Sequence, residues 1–177
     1  LQKENVYQSR PDVVKLMTER LDKWWNPVAA TVNIPERVII GSPKENPSLI
    51  TACEWMDVFV DQQSQVKHAE RKNSYWLLDV FENGTYEIEL RRWPKEYNKP
   101  LSQAGPGEVA LPVKSARIFV KQDGAGTTYS KEISAASTSV SFKVKLTKDP
   151  LALHSWFMDE TGSAMAGAYY AYITKTD

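Results

Sequence analysis

The sequence predicts a mainly β fold, an antiparallel β-sandwich of jelly-roll type preceded by one N-terminal amphipathic α-helix. Three observations predict it. Short runs of alternating apolar and polar residues recur from residue 38 to residue 174. Gly-, Pro- and Asn-containing breaks separate those runs at the spacing of sandwich or barrel strands. A helical period appears near the N-terminus and is not sustained elsewhere.

The helix comes first in the chain. Residues 1–8 are polar and read as an extended lead-in. Ser9 is placed as the N-cap, Pro11 in the first turn and Asp12 as the capping-box acid. Val13, Met17, Leu21 and Trp24 follow at spacings of four, four and three, with Val14 and Trp25 widening the stripe. Asn26-Pro27 is expected to end the helix, because proline disfavours helical geometry in the residue before it.

The strands follow. Val28 to Glu36 reads as a connector or short strand, and Val38-Ile39-Ile40 as a short strand stopped by Gly41-Ser42-Pro43. Leu49 to Ala52 is another apolar run, Trp55 to Val60 a loop carrying a short strand, and Val66 to Lys72 a polar lead. Two runs then flank Glu82-Asn83-Gly84. Ser74 to Phe81 is apolar and aromatic along most of its length, as a strand buried from both sides would be. Thr85 to Pro94 alternates, with Tyr86, Ile88 and Leu90 opposing Glu87, Glu89 and Arg91. Asn-Gly tolerates the positive φ of a tight turn, so the two runs are expected to pair as a hairpin. Residues 95–112 form a long Pro- and Gly-rich loop. Strands resume at 116–121, turn at Asp123-Gly-Ala-Gly126 and return over 129–133. Residues 139–146 alternate again; 151–158 and 168–174 complete the set, around a turn at 162–167.

With 177 residues the chain suits one domain with an appendage, divided here as residues 1–27 and 28–177. It opens on Leu1 rather than Met and carries no signal-peptide pattern, so it is expected to be a piece of something longer. The 22 basic and 22 acidic residues balance, which gives a nucleic-acid partner no electrostatic support. No apolar run approaches the roughly 20 residues needed to span a bilayer, so no membrane partner is expected. A single cysteine, Cys53, excludes an internal disulfide and a multi-cysteine metal site.

Catalytic chemistry finds few candidates. His68 lies in a polar run and reads as solvated; His154, beside Trp156 on a strand, reads as structural. No metal-ligand motif is present, although Asp57 with Asp61, or Asp159 with Glu160, could bind calcium from loops. The glycine loops at 105–107 and 124–126 open no helix and therefore cradle no phosphate. What remains is the face of the second hairpin strand: Glu89, Arg91, Arg92 and Trp93, with Trp55 as a further interface candidate. A guanidinium beside an indole can hold sulfate or carboxylate while a sugar stacks on the ring. The plainer reading is a solvated face of cross-strand ion pairs.

Several strings carry a family resemblance. They are Ile39-Ile40-Gly41-Ser42-Pro43-Lys44-Glu45-Asn46-Pro47, Leu49-Ile50-Thr51-Ala52 with Trp55, and Gly84-Thr85-Tyr86-Glu87-Ile88-Glu89-Leu90-Arg91-Arg92-Trp93-Pro94. Ala110 to Arg117, Trp156-Phe157-Met158-Asp159 and Gly167-Ala168-Tyr169-Tyr170 continue them. Together they resemble the C-terminal domain of bacterial arylsulfatase-type enzymes, and the helix at 11–25 is similar to the one that closes the sulfatase catalytic domain. The resemblance implies a parent that cleaves sulfate esters with a formylglycine, made from a Cys/Ser-x-Pro-x-Arg motif beside a bound calcium. This chain lacks that motif: Cys53 is followed by Glu54-Trp55-Met56-Asp57, and Ser9-Arg10-Pro11-Asp12 by Val13. Relatives often read His-Asp-Trp where this chain has Cys53-Glu54-Trp55. The expectation is a non-catalytic accessory domain that packs on a sulfatase catalytic domain, in a periplasmic or extracellular setting. The alternative is a carbohydrate-binding module for sulfated or acidic glycans, with Arg91 and Trp93 as contacts.

Overall fold

The computed structural model describes residues 4–177 and divides into two compact units, Leu1–Glu36 and Arg37–Asp177. The lead-in expected at residues 1–3 lies outside the described residues.

The first unit holds helix α1, Pro11–Val28. Its apolar residues fall on one stripe as the spacing predicts, yet none is buried: Met17 is 65 %, Leu21 57 % and Trp24 61 % exposed. Both helix ends differ from expectation. The N-cap is Arg10 and makes no side-chain cap bond, while the Ser9 hydroxyl donates backwards to the Val6 carbonyl. Asp12 pairs with the Arg10 guanidinium at 3.2 Å instead of closing a capping box. At the other end the helix runs through Pro27 to Val28. A proline that near the terminus forfeits only one intrahelical bond. No strand forms over residues 28–36.

The second unit is a two-sheet sandwich. Its ten strands are β1 (Val38–Ile40), β2 (Ser48–Thr51), β3 (Tyr75–Val80), β4 (Gly84–Arg91), β5 (Ser115–Gln122), β6 (Ala125–Glu132), β7 (Val140–Leu146), β8 (Pro150–Met158), β9 (Ala164–Ala166) and β10 (Tyr170–Lys175). One sheet runs β1-β3-β8-β5-β6 with β9 attached to β8; the other runs β2-β10-β4-β7. All pairings are antiparallel except β1 with β3, which is parallel.

The expected hairpin across Asn83-Gly84 does not form. β3 pairs with β1 and β8, while β4 pairs with β10 and β7, so the link crosses from one sheet to the other. Neither Asn83 nor Gly84 takes the left-handed conformation that a primed turn requires. Asn83 instead accepts a bond from the Lys148 backbone at 2.6 Å, and Tyr86 donates its hydroxyl to the Glu82 carbonyl at 2.8 Å. The physical reason is burial. Trp76, Leu78 and Val80 on β3, and Tyr86, Ile88 and Leu90 on β4, are all buried, and strands in opposite layers bury such sets between them. The tight turn lies at Asp123-Gly124, with φ of 50° and 74°, joining β5 to β6.

Inward residues of both sheets fill one core, including Ile40, Trp76, Ile118, Leu153, Ile88, Phe142 and Ile173. Trp76 is fully buried and its indole N–H donates to the Thr51 carbonyl at 2.6 Å, so its one polar atom is satisfied. Residues 55–60 form no strand, and a short helix α2, Gln63–Lys67, runs into the start of the polar lead expected at Val66 to Lys72. The 95–112 loop is irregular apart from one tight turn at Lys95–Tyr97, and it sends Leu101 and Leu111 into the core.

Candidate functional site

The residues singled out in the sequence lie at the end of β4, and the structure brings them together in an unexpected setting. Glu89 and Arg91 are on the outer side of the four-stranded sheet, where the Arg91 Nε–H donates to Glu89 at 2.7 Å. Lys95 reaches the other oxygen of Glu89 at 2.5 Å. Burial alone would raise the Glu89 pKa, but these bonds from Lys95 and Arg91 outweigh it and hold the group below the usual carboxylate range. The plainer reading expected ion pairs here, but solvated and between strands; these lie within β4 and its continuation, with Arg91 and Glu89 only 10 % and 16 % exposed.

Arg92 and Trp93 point elsewhere. Arg92 is fully buried; its Nη2 donates to the carbonyls of Val66 (3.2 Å), Lys67 (3.3 Å) and Val109 (2.5 Å). It thus ties the α2 segment and the long loop to the end of β4. Burial lowers its pKa, against the opposing pull of Tyr169 and Glu108. Trp93 is 1 % exposed, and its ring already carries two cations at 4.4 Å, the Arg92 guanidinium and the Lys99 ammonium. Lys99 is held there by an ion pair to Glu108. No sugar can stack on such a ring, so the glycan contact expected of Trp93 with Arg91 is corrected: Trp93 is a core anchor, and Arg91 is held by Glu89. Trp55 is likewise interior: 3 % exposed, with its ring centroid 5.9 Å from Trp76 and 6.4 Å from Tyr169.

Among the described residues, no three His, Cys, Asp or Glu side chains converge as a metal would need. Of the acids considered for calcium, Asp159 accepts from the Thr161 and Ser163 backbones at 2.9 Å and from the Thr161 hydroxyl at 2.7 Å. These bonds, with Arg71 nearby, outweigh its desolvation and hold its pKa low. His68 is exposed, and Cys53 is a free thiol that donates to the Val60 carbonyl at 3.6 Å. No helix among the described residues is long and apolar enough to cross a membrane.

The outer side of the six-stranded sheet holds what the sequence reading missed. Tyr75 on β3 lies directly opposite His154 on β8, which lies opposite Phe119 on β5, which lies opposite Thr128 on β6. The Tyr75 and His154 rings stack at 4.9 Å and 24°, and His154 and Trp156 at 5.4 Å and 10°. Phe119 meets His154 edge-on at 6.1 Å. A Cβ on Gly126 would come within 2.3 Å of the Phe119 ring, so the ring lies down over that glycine. All four rings are half-buried. Enclosure by its neighbours disfavours the imidazolium and lowers the His154 pKa. In the adjacent cross-strand rows stand Arg117 beside Trp156, and Lys121 beside Ala152. The signal was present in sequence: β3, β5 and β8 carry large apolar or aromatic residues in both phases of their alternation.

No protein-family model and no curated protein matches the chain. Among solved structures it is similar to part of a ruminal GH26 endo-β-1,4-mannanase, at 12 % identity and a TM-score of 0.45, over 75 % of this chain and 26 % of that one. It is similar to part of an exo-β-1,3-galactanase from Phanerochaete chrysosporium, at 7 % identity and a TM-score of 0.38, over 73 % and 29 %. It is also similar to part of the plant receptor-like kinase ANX2, at 13 % identity and a TM-score of 0.32, over 66 % and 30 %. The chain spans less than a third of the length of each.

Proposed function

We propose that the chain is a non-catalytic accessory domain of an arylsulfatase-like protein, which packs on a catalytic domain and helps to shape its substrate cleft. The observation that carries the reading is α1. Its stripe of Met17, Leu21 and Trp24 is of the kind a helix buries, and none of the described residues of its own unit covers it. A catalytic domain offering a complementary apolar surface would bury that stripe. The strings around Gly84–Pro94 and Trp156–Asp159 support the family, through their resemblance to arylsulfatase C-terminal domains. The glycan-binding alternative does not rest on Trp93, which the core and two cations enclose.

The test is the reading frame on the 5′ side of the Leu1 codon. It is expected to encode a Cys/Ser-x-Pro-x-Arg motif. The protein expressed from the whole frame is expected to hydrolyse an aryl sulfate with calcium present, while residues 1–177 alone do not. A frame without the motif, or turnover by the 177-residue chain itself, overturns the reading.

A further inference from the structure

The outer side of the six-stranded sheet combines three features. Its rings are large and half-exposed, where the corresponding side of a two-layer sandwich is ordinarily polar. The polar tips of those rings are unused: among the described residues, neither the Tyr75 hydroxyl, the His154 ring nitrogens nor the Trp156 indole N–H makes a hydrogen bond, and the outer side leaves them open to an incoming partner. The flanking charge is of one sign at its centre. Arg117 and Lys121 have no carboxylate within ion-pair distance among the described residues; Asp79 is engaged by Arg37 at 3.8 Å, and Glu132 stands one cross-strand row beyond Arg117. Beside the ring row lies an open, shallow depression of about 270 Å³, lined by Arg37, Lys121, Leu77 and Ala152, with the acid Asp123 at the end formed by the β5–β6 turn.

We propose that this face binds an anionic saccharide. Pyranose C–H faces would lie against Phe119 and the Tyr75–His154–Trp156 stack, with a sulfate or carboxylate substituent at Lys121, on the edge of the depression nearest the rings. Sugar C–H groups carry partial positive charge and suit the negative face of an aromatic ring, while hydroxyl groups supply the partners that the ring tips lack. Lys121 is two residues from Phe119 on one strand, so the depression sits about 7 Å from the ring row, on the scale of one sugar unit. A protein surface packing here instead would have to satisfy the same donors and two cations with side chains of its own; a sulfated sugar brings acceptors and charge together. The inference does not depend on the parent being a sulfatase.

The experiment is calorimetric titration of the full chain with chondroitin 4-sulfate tetrasaccharide, its desulfated counterpart and cellotetraose. The expected dissociation constant for the sulfated probe is roughly millimolar, with weaker binding of the desulfated sugar and weakest of the neutral one. Lys121→Glu, on an exposed side chain, is expected to weaken the sulfated probe about tenfold. Phe119→Ala and Trp156→Ala are expected to abolish detectable heat. Lys143→Glu, on the opposite outer side, is expected to change affinity by less than about twofold. Absence of binding by the sulfated probe overturns the proposal, and so does equal weakening by Lys121→Glu and Lys143→Glu. A dimer in sedimentation that Trp156→Ala dissociates overturns it too, by assigning the face to a second copy.

Discussion

The two outer faces of this sandwich are built from the same strand geometry and carry opposite chemistry. On the four-stranded sheet, Glu87 lies opposite Lys143 and Thr85 opposite Lys145, and Glu89 is bridged by Arg91 and Lys95. Charges of both signs are interleaved along that row, and water can solvate them. On the six-stranded sheet the equivalent positions hold Tyr75, His154, Trp156 and Phe119, with Arg117 and Lys121 beside them. A charged face that water solvates is complete as it stands. An aromatic face with idle donors and cations is not, and the difference shows where a ligand can gain most.

Tryptophan occurs both in the core and on the aromatic face. Trp93→Ala removes a ring buried in the core, and should cost about 3–5 kcal/mol in chemical denaturation, enough to threaten folding. Trp156→Ala, from the half-exposed row, should cost about 1 kcal/mol and leave the fold intact. Equal losses at the two sites would mean that Trp156 is part of the core and not of a binding face.

A smaller effect is expected at Gly126, whose added methyl would collide with Phe119. Gly126→Ala should displace the Phe119 ring and cost less than about 1 kcal/mol, since the ring can swing outward. The variant's NMR spectrum should show shifts at Phe119 and His154 and none on β4 or β7. Shifts reaching the four-stranded sheet would deny that the two faces are independent.

The faces should also titrate differently, though both in the direction of lost stability on acidification. The Glu89 pKa is depressed below its ordinary 4.5, so its contribution is complete above that pH and is lost as pH falls through the depressed value. Glu89→Gln should abolish that acid-limb loss. The His154 pKa is depressed below 6.5, because Tyr75, Phe119 and Trp156 enclose the ring, with the cations Arg117 and Lys121 in the flanking rows. The neutral form is favoured in the folded state, so stability is complete above 6.5 and declines as pH falls from there through the lowered value. His154→Gln should flatten a melting-temperature profile over that window while Glu89→Gln leaves it unchanged. The smallest effect belongs to Lys143→Ala, an exposed cross-strand partner, expected to cost less than about 0.5 kcal/mol by denaturant titration.

Strand identity was legible in the sequence because alternation records burial. β4, β5, β7 and β8 lie within a few residues of where period-two runs place them. Strand partnership was not. The run before Asn83-Gly84 and the run after it both have a greasy face, which says that each faces a core but not from which layer. Asn83-Gly84 has the composition of a tight turn, and a sheet-to-sheet crossing uses the same small polar residues. Asp123-Gly124, of similar composition, does make the turn, since β5 and β6 have neighbours that leave them side by side.

The same limit explains the site. Arg91-Arg92-Trp93 reads as one cluster in sequence, but the strand ends at Arg91 and the chain turns inward, which carries Arg92 to three backbone carbonyls and Trp93 into the core. The aromatic row, conversely, gathers residues from three strands between positions 75 and 156, and no local pattern records that Tyr75, Phe119 and His154 fall in register.

The most direct test of the contrast between the faces is a map of amide and indole NMR shifts on adding chondroitin 4-sulfate tetrasaccharide to the isotopically labelled chain. The account predicts shifts at Tyr75, Phe119, Lys121, His154 and the Trp156 indole, with β4 and β7 silent. Shifts centred on Lys143 and Lys145, or spread evenly over both sheets, would contradict it.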